Sequence, residues 1–74
     1  MNNLLNRITI DSELFGGRPT IRGMRIRVTD ILNLLSNGLS NEQIIRELPD
    51  LELDDIKAAL KYASVKFDHP VILV

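Results

Sequence analysis

Seventy-four residues, nine Lys and Arg against ten Asp and Glu (net charge −1), no cysteine and one histidine set narrow limits. A chain this short forms one domain at most and buries only about 60% of the surface its unfolded form exposes. Without cysteine, disulfide staples and thiolate metal sites are excluded, and His69 by itself cannot build a metal centre.

Since 45% of the residues are hydrophobic, the open route to completing so small a core is a partner chain. The composition therefore predicts an obligate oligomer, most simply a twofold homodimer. The N-terminus lacks the basic-then-apolar run of an export signal, and no apolar stretch approaches the roughly 20 residues of a membrane span. A cytoplasmic chain with no membrane partner is the expectation. One domain over 1–74 divides into a basic β region (1–28), a helical unit (29–67) and an apolar tail (68–74).

The charge is uneven along the chain. Up to Val28 there are five basic residues (Arg7, Arg18, Arg22, Arg25, Arg27) and two acidic ones (Asp11, Glu13); beyond it, four basic residues face eight acidic. The balance is +3 followed by −4. Between Gly16 and Val28 the chain reads GGRPTIRGMRIRV. Met24, Ile26 and Val28 alternate with Arg25 and Arg27, the period-two pattern of a strand with one buried and one solvated face. A guanidinium-rich outer face suits phosphates or carboxylates. The same pattern also fits a strand that merely keeps its outer face soluble.

Three helices follow by pattern. Thr29 can cap a first helix over Asp30–Asn37, with Ile31, Leu34 and Leu35 inward and Gly38 as its stop. A second opens at Ser40, where Ser40 and Gln43 form a capping box and Leu39 and Ile44 a hydrophobic staple. Ile44, Ile45 and Leu48 point inward, and Pro49 ends it. A third runs from Leu53 to Phe67, with Ile56, Leu60, Ala63 and Phe67 as its core stripe and Asp54, Lys57, Lys61 and Ser64 on a solvated face. The order and loop lengths resemble a helix-turn-helix. However, Glu52, Asp54 and Asp55 at the start of the third helix would face a phosphate-rich groove, and Lys57 and Lys61 only partly offset that repulsion. The arginine strand is the better candidate DNA contact. Beyond Asp68-His69-Pro70, the apolar run Val71–Val74 either packs on its own domain or adds a strand to another protein's sheet.

Three segments, ITIDSELFGGRPTIRGMRIRV, ILNLLSNGLSNEQI and LPDLELDDIKAALKYA, together resemble a small bacterial domain-of-unknown-function family (the DUF433 type). Its pattern is I-x-x-(D/N)-P-x-x-x-G-G-K-P-x-I-x-G-T-R-I-x-V, then I-L-x-L-L-x-x-G-x-S-x-E-x-I, then Y-P-x-L-T-x-E-D-I-x-A-A-L-x-Y-A. The match spans about three quarters of the chain. Arg18 replaces the family's lysine, Met24 a threonine, and Glu52 a threonine that would cap the third helix. The resemblance implies a mainly α, homeodomain-like helix-turn-helix of three helices after a short N-terminal β region. It also implies a VapB-like antitoxin, encoded beside a toxin with a PIN-like nuclease fold.

These readings converge on an expected function: a dimeric antitoxin that neutralises such a nuclease and represses its own operon by binding operator DNA. The alternative is a stand-alone helix-turn-helix regulator without a toxin. The expected DNA contacts are Arg18, Arg22, Arg25, Arg27, Lys57 and Lys61. Phe67, Val71, Ile72 and Leu73 are expected to anchor the toxin, and Ile8, Ile10, Ile21 and Ile26 to form the dimer interface. Catalysis is not expected. Ser12, Ser36, Ser40 and Ser64 have no triad spacing with His69, Gly16-Gly17-Arg18 lacks the rest of a phosphate loop, and Asp11 with Glu13 reads as an acidic turn. No cofactor, metal or small-molecule substrate is implied.

Overall fold

The structure, a computed structural model, describes residues 3–67. A 3₁₀ turn (Leu4–Arg7) leads into strand β1 (Ile8–Thr9), and a second 3₁₀ turn (Phe15–Gly17) into strand β2 (Thr20–Ile21). Helices α1 (Val28–Ser36), α2 (Asn41–Glu47) and α3 (Leu53–Lys66) follow. The expected mainly helical fold with a short N-terminal β region is what forms.

β1 and β2 pair antiparallel, Ile8 opposite Ile21 and Thr9 opposite Thr20. The two threonine hydroxyls lie 3.0 Å apart, and the Gly23 N–H donates to Thr9 Oγ1 at 2.8 Å. Arg22 and Gly23 both take positive φ, 46° and 70°, and the Met24 N–H donates to the Ile21 carbonyl. Two consecutive positive-φ residues closed by such a bond make the tight reversal that β-hairpins favour. The expected strand over Met24–Val28 does not form. Helix α1 already begins at Val28, so only one isolated bridge, Thr20 with Arg27, fits between the reversal and the helix. The alternation survives in part: Val28 is buried, Met24 and Ile26 pack on the core, and Arg25 is exposed.

The helix starts follow local chemistry. At α1 the cap position is Arg27, not Thr29: the Arg27 N–H donates to Asp30 Oδ2 at 2.9 Å, and its guanidinium closes on the same carboxylate. Asp30 at the third helical position thus satisfies the N–H of the cap residue, and Thr29 lies inside the helix instead of capping it. At α2 the capping box forms as expected, the Ser40 N–H donating to Gln43 Oε1 at 2.8 Å and the Gln43 N–H to Ser40 Oγ at 3.2 Å. At α3 the Glu52 N–H donates to Asp55 Oδ2 at 2.8 Å, so a carboxylate three residues on satisfies the N–H of the cap residue.

The core joins Ile21 of β2, Val28 and Ile31 of α1, Ile44 of α2, Leu51 before α3, and Ile56 and Ala59 within it. The inward face of α3 differs from the expected stripe. Asp55, Ile56, Ala58 and Ala59 are buried, whereas Leu60 is 49% and Phe67 75% exposed. Ile56 keeps its expected inward place, and beside it the buried side of α3 carries a carboxylate, Asp55, that Arg7 and Arg22 meet.

Candidate functional site

The basic stretch divides into arginines that hold the fold and arginines that face solvent. Asp55, its side chain fully buried, is the centre of the first group. Arg22 grips it with two parallel bonds, Nε to Oδ1 at 3.0 Å and Nη2 to Oδ2 at 2.8 Å, and Nη2 also donates to the Asp50 carbonyl at 3.0 Å. Arg7 Nη1 donates to Asp55 Oδ1 at 3.0 Å and to Glu52 Oε1 at 2.7 Å. One carboxylate therefore ties the first 3₁₀ turn, the hairpin reversal and the start of α3 together. Such planar, charge-assisted pairs are the strong class of hydrogen bond. Burial pushes the Asp55 carboxyl up, but the bonds from Arg22, the Glu52 N–H and Arg7 outweigh it and hold the group below its ordinary value.

Arg27 is also committed. It pairs with Asp30 at 2.9 Å, and its guanidinium lies 5.2 Å from the centre of the Phe15 ring, a cation–π contact. Burial raises the Asp30 carboxyl, and the Arg27 bonds bring it back below its ordinary value. Of the four arginines expected on one outer surface, Arg22 and Arg27 are thus structural. Arg18 and Arg25 are exposed and make no ion pair among the described residues, and Lys57 and Lys61 are exposed on α3.

The other expected sites divide similarly. Ile21 lies in the chain's own core, so it is not available to a second copy; Ile8 and Ile26 pack against that core, and Ile10 is 64% exposed. Val71, Ile72 and Leu73 lie outside the described residues. Phe67, which caps the C-terminal end of α3, lines a groove of about 350 Å³ together with Arg18, Pro19, Val28, Thr29, Leu32, Tyr62, Ala63 and Lys66. Among the described residues no group of three His, Cys, Asp or Glu is placed to hold a metal ion. No helix there is long and apolar enough to cross a membrane.

Neither the Asp55 cluster nor the groove was expected from the sequence. The usable signal for the cluster was Asp55 itself, a carboxylate at the third helical position behind a non-capping Glu52. The groove had no local signal, because it forms between Arg18-Pro19, α1 and the end of α3.

The comparisons with known proteins bear on this arrangement. The profile of a family described as "Protein of unknown function (DUF433)" matches residues 8–63. The chain belongs to that family. The DUF433 match takes in both strands, α1, α2 and the larger part of α3, with Arg22 and Asp55 inside it and Arg7 one residue outside. The DUF433 chain is also similar to the uncharacterized protein y4eO of Sinorhizobium fredii, at 32% identity over 57 residues, which cover 77% of this chain and 26% of that protein. It therefore spans about a quarter of the length of that curated relative. No solved structure matches it.

Proposed function

We propose that this DUF433 chain is the antitoxin of a type II toxin–antitoxin pair, a homodimer that neutralises a PIN-like nuclease and binds operator DNA. The observation that carries the reading is the apolar surface left on so small a body: Ile10, Phe15, Leu53, Leu60, Val65 and Phe67 all stand exposed. Scattered apolar residues are normal on protein surfaces, but Leu53, Leu60 and Phe67 recur at seven-residue spacing along α3. Such spacing keeps them on one side of the helix. A surface of this kind suits protein partners. Phe67 stands at the end of α3, and the apolar segment Val71–Leu73 follows it in sequence, so both can belong to one toxin-facing surface.

The DNA contact in this reading falls to Arg18 and Arg25, joined by Lys57 and Lys61, since these cations are exposed. Arg22 and Arg27 act indirectly, by holding the hairpin and α1 in place. Of the expected dimer residues, Ile10 is the one left outward. The exposed lysines of α3, following the turn after α2, favour the second reading, a helix-turn-helix regulator with no toxin.

Co-expression separates the two. The antitoxin reading requires a small PIN-like nuclease gene beside this one; the chain is produced with that gene's product, and the pair is purified through a tag on the nuclease. The antitoxin reading predicts co-purification and restored growth of cells carrying the nuclease. A nuclease that purifies alone and still arrests growth would overturn it.

A further inference from the structure

The groove between Arg18-Pro19, α1 and the end of α3 has an apolar bed, formed by Pro19, by Val28 and Leu32 of α1, and by Tyr62 and Ala63 of α3. Its charged lining residues are Arg18 and Lys66, both cationic, and among the described residues no acidic one lines it. We propose that this groove binds a small amphipathic carboxylate, with the aliphatic chain on the bed and the carboxylate at Arg18 and Lys66.

Three observations point to that ligand. The first is charge. Arg18 is exposed and makes no ion pair among the described residues, so its planar guanidinium is open to a carboxylate. The Lys66 ammonium stands 5.5 Å from the centre of the Tyr62 ring. That cation–π contact holds the second charge over a residue of the bed. The second is the bed itself. Pro19, Leu32, Tyr62 and Ala63 are only half-buried, so an aliphatic chain laid on them takes apolar surface on both sides out of water. The third is that the groove is built before any ligand arrives. The Val28 N–H donates to the Pro19 carbonyl at 3.0 Å, and the Arg18 N–H to the Phe15 carbonyl at 3.3 Å. These bonds fix the Arg18-Pro19 wall to the start of α1 and to the preceding 3₁₀ turn, and small-molecule sites are largely preformed in this way.

Size decides between a small molecule and a protein. About 350 Å³ is at the small end of the roughly 300–1,000 Å³ of ligand pockets. At roughly 30 Å³ for each water-sized group it has room for about a dozen, and octanoate has about ten heavy atoms. A standard protein interface engages about 20–30 residues a side, whereas nine described residues line this groove. Such a site does not depend on the antitoxin reading, because it needs neither toxin nor DNA.

The test is nuclear magnetic resonance on the uniformly labelled full chain at neutral pH. The chain is titrated with sodium octanoate and, separately, with octanamide, the uncharged analogue of the same length. Octanoate should move the signals of Val28, Leu32, Ala63 and Lys66 saturably and leave those of α2 in place. Octanamide should bind about fivefold more weakly, the upper end of what an exposed ion pair supplies. With Arg18→Gln and Lys66→Gln combined, octanoate should fall to the affinity of octanamide, while octanamide keeps its own. Equal affinities of the two ligands for the wild-type chain would overturn the proposal. Shifts centred on Leu53 and Leu60, on the exposed side of α3, would do so as well, being the mark of general adsorption. A groove that does not respond would also overturn it, whether a second copy, residues 68–74 or water fills the space. The wild-type titrations decide even if the double variant fails to fold.

Discussion

At the scale of single residues, Asp55 is the side chain on which the rest of the arrangement turns. It is buried, it accepts from Arg7, Arg22 and the Glu52 backbone, and it holds Arg22 in a positive-φ turn that a non-glycine residue occupies at a cost. Removing one partner from a buried ionic cluster typically costs about 3–5 kcal/mol. Both arginines keep access to water here, so Asp55→Ala should fall near the low end, about 3 kcal/mol. In a domain of this size about 1 kcal/mol moves the melting temperature by roughly 4–8 °C. A thermal melt of the variant should therefore drop by at least about 10 °C.

The same carboxyl sets a pH dependence. Its folded pKa lies below the ordinary value near 3.8, as does that of Asp30. Folded carboxyls that stay charged to lower pH than unfolded ones make the unfolded state the stronger proton binder in that window, so stability rises with pH there. The contribution is complete above about pH 5 and is lost as pH falls through the folded values. Urea titrations from pH 5 downward should show stability falling in the wild type and falling less steeply in Asp55→Asn.

At the scale of elements, helix existence and type were legible because local and global preferences agree. Ser40 with Gln43 and Leu39 with Ile44 specify the start of α2 from neighbouring residues alone, and the structure places the cap where the pattern does. The β region was legible only as a tendency. Alternation at 24–28 reports which side chains face inward, but it cannot report that the chain reverses at Arg22-Gly23 and begins a helix at Val28. The inward side of α3 was only partly legible, for a different reason. A hydrophobic stripe is scored on apolar residues alone, and here a buried carboxylate helps decide which side of the helix is turned in. That gives a paired expectation. Ile56→Ala should cost about 2–5 kcal/mol as a core truncation, and Leu60→Ser, at an exposed site, no more than about 0.5 kcal/mol. Equilibrium denaturation of the two variants checks it, and equal losses would restore the simple stripe.

At the scale of the whole molecule, four arginines in ten positions do two jobs. Nothing in their spacing separates Arg22 and Arg27 from Arg18 and Arg25, because their acidic partners, Asp55 and Asp30, are found only once the chain has folded. The distinction carries into the proposed DNA binding. Replacing Arg18 and Arg25 together by alanine should weaken binding to duplexes of any sequence. It should also flatten the dependence of log affinity on log salt by about 0.9 for each phosphate no longer neutralised, without lowering the melting temperature. Fluorescence anisotropy across a salt series measures the slope, and an unchanged slope would remove these two residues from the interface.

The central claim is that this small, partly apolar surface exists to silence a nuclease, and titration tests it most directly. The proposal requires a PIN-like nuclease gene beside this one, and purified chain is added stepwise to the product of such a gene while the rate of nucleic-acid cleavage is followed. The account predicts that cleavage falls to background as the chain reaches stoichiometric amounts. Undiminished cleavage at tenfold molar excess of a folded chain would contradict it.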